Sequence, residues 1–516
     1  MRAIAVLTLG LSAFAAAGSG AHAQTLRTML TSDIRGVMPG RSPDTATGSV
    51  LQNIYEGLVA WRADGSVAPM LAEKIETSDD GKTYTFTLRE GVKFHNGAPL
   101  TAKEVVWTWE RFLDPKSAWP CRGAFNGTNA TKIESVKALD DRRVTFQLAE
   151  RSGSFLSAMA RADCDSAGIA HPDAVDANGN WTMAIGTGPF KMTEWRKGQY
   201  VELSRFADYK SRSEPSDGLA GAKEAKVEKV RINLVPDAQV AKLGILQGQL
   251  DLWTDVDAAS IKDFANDKNV TVTTTPVAGI YTIPLQSRDP VLADPRIRQA
   301  ISHAIDRKSL AKAVLDDKSI ASPSLIPLTS RFYGQVERDG AEYDPDKARA
   351  LIKASGYKGD RIVLITSKAS PIMSDTAIYL QSMLQAVGLN VDVEIMEFAT
   401  QFERFYSGRY QMMVWNLTPY LDPLFIVERF TGDKARQPDK VWDSPASKEL
   451  LKKLVLADDK QDKQALYDEV HRLQMTEAPL IVWGTRATTI AVRKNVSGFQ
   501  PWPGQKPRYW NVSVTP

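Results

Sequence analysis

The sequence predicts an α/β protein with two or three lobes. Three observations support this class. Strand-like and helix-like segments alternate between residues 361 and 415, two hairpin signals occur between residues 75 and 148, and the chain has 516 residues. Alternating strands and helices are typical of a layered parallel sheet, and a chain this long exceeds what a single hydrophobic core holds.

The N-terminus predicts export. Arg2 is followed by an almost wholly apolar stretch over residues 4–17, and then by the small-x-small pattern Ala21-His22-Ala23. This is the layout of a secretory signal peptide cleaved after Ala23, and the apolar stretch is shorter than the ~20 residues that a membrane span needs. The expected mature chain begins at Gln24 and is soluble.

Composition excludes one class of partner and suggests one covalent link. The 64 basic and 61 acidic residues give a formal net charge of +3, without the strong basic excess of nucleic-acid binders. The two cysteines, Cys121 and Cys164, are an even count in a chain with an export signal. A disulfide between them is therefore favoured over two free thiols.

The first half of the chain contains two predicted hairpins and a helix. Alternating apolar residues flank Asp79-Asp80-Gly81-Lys82, and a similar pair of segments flanks Asp140-Asp141. Asp-Gly between alternating segments is a strong hairpin signal. Between the hairpins, Thr101 and Glu104 form a capping-box pattern that opens a helix through Phe112. A more broken α/β piece follows, with strand-like segments at 186–191, 201–204, 230–235 and 251–253 and a helix at 238–247.

The second half predicts a parallel sheet. Strand-like segments at 361–366, 391–395 and 411–415 alternate with helical segments, the first ended by Gly388 and the second at 400–407. In such sheets ligands bind beyond the carboxyl ends of the strands. Two segments, 367–371 and 416–422, are therefore expected to face a ligand.

Catalytic and metal motifs are missing from the sequence. The four histidines after the signal segment are far apart, and there is no His-x-x-x-His or Cys-x-x-Cys pair, Gly-x-Ser-x-Gly elbow or Walker-type loop. Gly186-Thr187-Gly188 begins like a dinucleotide fingerprint, but Pro189 follows it. We therefore predict no catalytic residue, no metal site and no cofactor, and a secreted hydrolase is disfavoured.

Several segments in order resemble one protein family. They are Asn53-Ile54-Tyr55-Glu56-Gly57-Leu58, the stretch from Tyr84 to Asn96-Gly97, Leu100 to Val105, Gly186 to Phe190, Gly248 to Leu252, Asp294 to Ile301, and Tyr343 to Ala348. Together they resemble the extracellular solute-binding proteins of family 5, the dipeptide-, oligopeptide- and nickel-binding group. The resemblance covers nearly the whole chain after the signal segment.

The resemblance implies a type II periplasmic binding protein: two α/β lobes that close on a ligand about a hinge, and an extra hairpin-rich lobe. The expected first lobe comprises residues 24–60, 189–278 and 487–516, the extra lobe residues 61–188, and the other α/β lobe residues 279–486. It also implies a periplasmic protein, expected to be a monomer, that binds a peptide-like solute and delivers it to the permease subunits of an ABC importer. Contact with the membrane is expected only through the permease.

The resemblance also suggests where the ligand binds. Peptide-binding relatives hold the ligand's ammonium with an Asp shortly after the Trp of the late strand, because a desolvated ammonium needs a carboxylate. After Trp415 this chain has Asn416 and Thr418 at that place. Asp422 precedes Pro423, which is typical of a helix start, so capping is favoured over ligand contact.

Other positions complete the expected site. Lys368, with Ser367 and Ser370, stands where dipeptide-binding relatives place an Arg for the ligand carboxylate, and a solvated loop lysine is an equal alternative. Tyr281 and Trp415 are candidate walls, with core packing as the alternative. The expected ligand-binding residues are Ser42, Asp44, Tyr281, Lys368, Ser370, Trp415, Asn416, Thr418 and Asp422.

One alternative for the ligand stays open. Because the Asp after Trp415 is missing, the same fold is a candidate for binding a non-peptide solute such as an oligosaccharide, an opine-like conjugate or a metal chelate. Asp44, in the loop after the first strand, is the candidate replacement for the missing ammonium partner.

Overall fold

The computed structural model describes residues 24–41, 44–129, 131–264, 267–315, 320–340, 342–368, 370–458 and 460–515. Its strands and helices alternate along the chain. In the first part they are β1 (Thr25–Leu30), α1 (Thr45–Leu51), β2 (Val59–Trp61), β3 (Val67–Pro69), β4 (Ala72–Thr77), β5 (Thr83–Leu88), α2 (Ala102–Leu113), β6 (Ile133–Ala138), β7 (Arg143–Leu148) and α3 (Phe155–Met159). The next are β8 (Phe190–Arg196), β9 (Tyr200–Arg205), β10 (Lys229–Leu234), α4 (Ala238–Leu246), β11 (Leu252–Trp253), α5 (Ala258–Phe264) and β12 (Val270–Pro284).

The second part is richer in helices. It contains α6 (Pro295–Ala304), α7 (Arg307–Leu315), α8 (Gln335–Arg338), α9 (Pro345–Ser355), β13 (Ile362–Ser367), α10 (Pro371–Ala386), β14 (Val391–Met396), α11 (Phe398–Ser407), β15 (Met412–Met413) and β16 (Trp415–Asn416). It ends with α12 (Leu424–Phe430), α13 (Pro445–Leu456), α14 (Lys460–Glu477), β17 (Leu480–Arg493), β18 (Val496–Ser497) and β19 (Ser513–Val514). Among the described residues, no helix is both long enough and apolar enough to span a membrane.

The hairpin sheet has the order β4-β5-β7-β6 and is antiparallel. Both predicted hairpins are confirmed, and the first closes where the Ser78 N–H donates to the Thr83 carbonyl at 2.9 Å. The capping box that opens α2 is also confirmed, since Glu104 accepts from the Thr101 N–H at 2.9 Å. Trp109 on α2 is fully buried and packs edge-on against Phe146 and Phe125.

The C-terminal sheet has the order β14-β13-β15 with parallel pairing, which confirms the predicted strand–helix alternation. One prediction here is wrong in detail. The expected single strand over 411–415 is split, because Met412 and Met413 pair with β13 whereas Trp415 and Asn416 pair with β12. The chain therefore passes from one sheet to another within four residues.

A second difference lies before β8. The expected strand over 186–191 begins only at Phe190, because Gly186 and Gly188 run against the backbone of residues 53–54. A Cβ on Gly186 would come within 2.2 Å of the Ile54 carbonyl oxygen. This close approach, rather than strand pairing, explains the glycines of that segment.

The crossing sheet has the order β11-β17-β12-β16 and joins the two halves of the chain. Strands β12 and β17 pair antiparallel over most of their length, with register shifts between Pro276 and Ile280 and between Tyr281 and Thr282. Buried apolar residues form one cluster that unites the N-terminal and hairpin parts, and two others within residues 280–483. The register shifts therefore lie where the chain passes between separate cores.

Cys121 and Cys164 form a disulfide, with Cα atoms 6.0 Å apart and a sequence separation of 43. The bond ties the short helical turn Pro120–Ala124 to the segment Ala162–Ala167. Directly after Cys164, residues Asp165, Ser166 and Ala167 all have positive φ, which is costly for residues other than glycine. Both cysteines are buried in the cluster that joins the hairpin part to the N-terminal part.

Candidate functional site

The candidate site lies on the crossing sheet, beyond the ends of its two edge strands β11 and β16. Tyr281 and Asn416 are directly paired residues of β12 and β16. After Asn416 the chain continues along β12, because the Leu417 N–H donates to the Ile280 carbonyl at 2.9 Å and the Tyr420 N–H to the Ala278 carbonyl at 2.8 Å. The structure therefore brings together two of the predicted residues, Tyr281 and Asn416.

Arg486 of β17 enters the same place. Its Nη1 donates to the Leu417 carbonyl at 3.1 Å, while its buried Nε has no hydrogen-bond partner among the described residues. Gly279 makes room for this side chain, since a Cβ there would lie 2.6 Å from the Leu417 oxygen and 3.1 Å from Arg486 Cδ. No pattern in the sequence points to Arg486, which reaches the site only through the pairing of β17 with β12.

Asp255 supplies the opposite charge, two residues beyond the end of β11. The Thr488 hydroxyl lies 3.4 Å from its Oδ1, and Arg486 interacts with it electrostatically without an ion pair within 4.0 Å in the described part of the chain. The side chain is open to solvent, yet burial by the surrounding protein raises the pKa of its carboxyl group despite Arg486. A carboxylate that is partly desolvated by its surroundings is costly to leave unpaired.

Tyr281 is mainly a packing residue. Its ring stacks on Trp483 at 4.5 Å between centroids, and only 4% of the residue is exposed. Burial raises the pKa of its hydroxyl, and the neighbouring Arg486 opposes that rise. The core-packing alternative therefore describes the ring, while the hydroxyl is close to the Arg486 guanidinium.

Trp415, on β16 of the crossing sheet, belongs to an aromatic group that packs against α11. Its ring stacks on Phe405 at 4.4 Å and is 7% exposed. Beside it, Phe398, Phe402 and Tyr406 form an aromatic ladder on α11, with exposures of 45%, 43% and 47%. The ring centroids of Phe398 and Phe402 lie 6.3 and 6.2 Å from the ring centroid of Trp415. Three adjacent exposed aromatic residues are a typical mark of a binding surface.

The segment after β13 is polar but already paired. Lys368 Nζ lies 2.6 Å from Glu397 Oε1, and this hydrogen bond raises the pKa of the exposed Lys368 ammonium. Ser370 precedes α10 without a side-chain capping bond. Glu397 directly precedes Phe398, so Lys368 lies beside the start of the aromatic ladder.

Asp422 and Thr418 have different surroundings. Asp422 is 4% exposed, and its Oδ1 accepts from the Tyr467 hydroxyl at 2.9 Å and the Leu424 N–H at 3.0 Å. These bonds hold the start of α12, which begins one residue later than the sequence suggested, with Pro423 before it. Thr418 is exposed.

Asp44 lies at the start of α1. Its Oδ1 accepts from the Thr47 N–H at 2.8 Å, which makes it the N-cap of that helix. Its Oδ2 lies 3.8 Å from Arg35 Nε, a weak contact with an exposed side chain. Ser42, also predicted for the site, lies outside the described residues.

Sequence reasoning missed a charged group that bridges the hairpin part and the segment after β16. Arg161 binds Asp163 through two hydrogen bonds of 3.0 and 2.6 Å. Its guanidinium also lies over the rings of Tyr420 and Phe425, at 5.7 and 4.8 Å from their centroids. The charged residues Asp163 and Asp165, on either side of Cys164, are the signal in the sequence that could have pointed to this region.

Asp165 belongs to the same buried group. Its Oδ2 accepts from the Gly40 N–H at 2.7 Å, and Lys506 lies 3.7 Å from its Oδ1. Burial raises the pKa of Asp165 to about 6, against the effect of Lys506. One group of metal-ligand residue types, Cys121, Asp163 and Cys164, also lies here, but both sulfurs are used by the disulfide and offer no thiolate.

Comparisons with known proteins agree on one family. The family profile described as "Bacterial extracellular solute-binding proteins, family 5 Middle" matches residues 66–437. Di/tripeptide-binding protein 2 of Pseudomonas aeruginosa (strain UCBPP-PA14) is 28% identical over 534 residues, covering 96% of each chain.

Two solved structures have a similar fold. The dipeptide binding protein from Pseudoalteromonas sp. SM9913 in complex with Met-Leu has a TM-score of 0.79 and 22% identity, over 95% of this chain and 100% of the other. The AgaA protein of A. tumefaciens R10 in complex with agropinic acid has a TM-score of 0.78 and 23% identity, over 95% and 99%.

Proposed function

Because this chain belongs to family 5 of the bacterial extracellular solute-binding proteins, we propose that it captures a peptide-like solute with a free amino group. The fold is that of a type II periplasmic binding protein, and proteins of this family bind substrates for transport and are not enzymes. The ligand is delivered to the permease subunits of an ABC importer. Binding between two lobes and a shift toward the closed state account for capture.

The lobe division proposed from the sequence is kept. In it, residues 24–60, 189–278 and 487–516 form the first lobe, 61–188 the extra lobe and 279–486 the other. The register shifts of β12 between Pro276 and Ile280 support a hinge there, because irregular pairing is where a long ribbon bends. The separate buried clusters on either side support it as well.

Asp255 is the proposed partner of the ligand's ammonium group. The single observation that supports this is a solvent-accessible carboxylate that has a raised pKa and no ion-pair partner within 4.0 Å among the described residues. Arg486, which interacts with Asp255, donates to the Leu417 carbonyl in the segment after β16, where relatives carry an Asp and this chain has Thr418. Arg486, whose Nε has no hydrogen-bond partner in the described part of the chain, is the proposed partner of a ligand carbonyl or carboxylate nearby.

The aromatic ladder is the proposed contact for an apolar side chain of the ligand. Its first residue, Phe398, lies beyond the carboxyl end of the C-terminal sheet, as expected for a ligand-facing position. Because Lys368 is paired with Glu397, it contributes less to carboxylate binding than its position suggested. The ligand class that fits best is a short peptide containing an aromatic or large apolar residue.

A non-peptide solute remains the second candidate. The observation that favours it is the missing Asp after Trp415, together with an exposed aromatic surface that also suits a sugar or opine-like conjugate. Such a ligand would need no ammonium partner at Asp255.

Replacing Asp255 by Asn is expected to weaken binding of Ala-Phe-Ala about 10- to 100-fold, because a charge-assisted hydrogen bond is lost. Isothermal titration calorimetry measures this. Glu449→Gln, which neutralises an exposed carboxylate on α13, is the matched control and should bind like the unaltered protein. An unchanged affinity in Asp255→Asn, with loss in Asp44→Asn, would move the ammonium partner to Asp44.

Acid should weaken binding of the same tripeptide. The pKa of Asp255 is raised, so its carboxyl group takes up a proton at a higher pH than an ordinary Asp with pKa 3.8. The affinity for the tripeptide is therefore expected to be highest at pH values well above that raised pKa, and to fall as the pH drops through it. Titrations across the acidic range should show this fall, and Asp255→Asn should lack it.

The mature form is proposed to begin at Gln24, in the periplasm, and to be a monomer. The family is extracellular or periplasmic, and the small-x-small pattern before Gln24 supports the cleavage position. The intact mass of the exported protein and its sedimentation behaviour test the two statements.

A further inference from the structure

A cavity of about 650 Å³ lies between the loop that follows β1 and the far end of α2. Its lining residues come from 35–41, 111–117 and 178–181, so none belongs to the C-terminal sheet or the crossing sheet. Asp255 and Arg486 therefore do not line it. This cavity therefore shares no lining residue with Asp255, Arg486 or the aromatic ladder of the proposed solute site.

Cationic side chains dominate the lining. Arg35, Arg41, Arg111 and Lys116 face one acidic residue, Asp114, whose Oδ1 already accepts from the Lys116 N–H at 2.8 Å. In the described part of the chain, Arg41, Arg111 and Lys116 have no carboxylate within 4.0 Å, and Arg35 has only the 3.8 Å contact with Asp44. Like charges around one cavity repel each other, and an anion between them relieves that repulsion.

Arg111 is held in a fixed position. Its guanidinium lies over the rings of Trp107 and Trp181, 5.1 and 6.0 Å from their centroids, and its Nη2 donates to the Gly179 carbonyl at 2.8 Å. Within the described part of the chain, the other N–H groups of the guanidinium make no hydrogen bond and can donate to a ligand. A guanidinium held by aromatic rings is suited to bind an oxyanion with little loss of side-chain entropy.

We propose that this cavity binds a small organic or inorganic oxyanion that carries more than one negative charge, of the phosphate or polycarboxylate class. The buried Val37 and Met38 form part of its lining, so the charged groups act beside an apolar surface that weakens screening by water. A cavity of this volume fits a free small molecule. A phosphate group carried by a lipid headgroup has the same chemistry, and the test separates the two sources.

Isothermal titration of the mature protein with pyrophosphate, and separately with citrate, at low ionic strength tests this site. Saturable binding of one anion per chain is expected for at least one of the two. The double variant Arg41→Ala/Lys116→Ala should lower the affinity for the anion at least tenfold. Arg111→Lys keeps the positive charge but loses the two-pronged hydrogen bonding of a guanidinium, so it should lower the affinity as well. Arg41 and Lys116 are both exposed, so replacing them by Ala should leave the fold intact.

The control is Arg436→Ala, which removes one exposed charge from a distant loop and should leave anion binding unchanged. No saturable binding of either anion, or an equal loss in Arg436→Ala, would overturn the proposal. Binding only to vesicles containing phosphatidylglycerol, and not to free anions, would also overturn it. Tripeptide affinity should be the same in the double variant, so the result is independent of the proposed solute site.

Discussion

Replacing Lys223 by Ala is expected to lower the free energy of unfolding by about 3–5 kcal/mol, because it leaves a buried carboxylate without its counter-charge. Glu56 and Lys223 form an ion pair at 3.0 Å, with side chains only 1% and 3% exposed. Glu56 also accepts from the Tyr209 hydroxyl at 2.8 Å and the Thr187 hydroxyl at 3.1 Å. The pair thus links the segment before β2 to the loop after β9.

Chemical denaturation measures the effect. Lys226→Ala, which breaks an exposed contact with Glu224, is the matched control and should cost less than about 1 kcal/mol. The double variant Glu56→Gln/Lys223→Met should recover part of the loss, because no unpaired charge is then left inside. If Lys223→Ala lowers the free energy of unfolding by less than about 1 kcal/mol, the Glu56 carboxylate is not desolvated as described.

Removing the disulfide is the second large effect. Because the bond closes a loop with a sequence separation of 43, the chain-entropy model gives about 4 kcal/mol for its contribution to stability. The variant Cys121→Ala/Cys164→Ala should unfold at correspondingly lower denaturant concentration. The disulfide also holds the end of the segment in which Asp165, Ser166 and Ala167 have positive φ, so this turn is expected to loosen first.

Reductant provides the control for the disulfide. It should destabilise the unaltered protein and have no effect on the variant that lacks both cysteines. Equal stability of the variant and the unaltered, oxidised protein would contradict the assignment of a stabilising role to this bond.

The sequence predicted the fold better than the site. Local patterns were enough for the hairpin sheet and for the strand–helix alternation of the C-terminal sheet, since each depends on residues close in the chain. The division of residues 411–415 between two sheets could not be seen, because an apolar run carries no information about which strand it will pair with.

The charged residues of the site depend on distant pairing. Asp255 and Arg486 come together only because β11 pairs with β17, with Trp253 opposite Ala491. Neither residue stands in a motif, so only the three-dimensional arrangement shows that they lie close enough to interact. Asp422, by contrast, was correctly suspected of holding a helix start, because its bond to the Leu424 N–H is made to a residue close by in the chain, whereas its bond to the distant Tyr467 could not be foreseen.

The most direct measurement of the central claim uses two matched pools of short peptides. The protein, unfolded and refolded to remove any bound solute, is incubated with a digest of free-amine peptides or with the same digest after N-acetylation, and the captured peptides are identified by mass spectrometry. Enrichment of short free-amine peptides containing aromatic or large apolar residues, and none from the acetylated pool, is the predicted result. Equal capture from both pools, or no capture from either, would contradict recognition of a peptide amino group between the lobes.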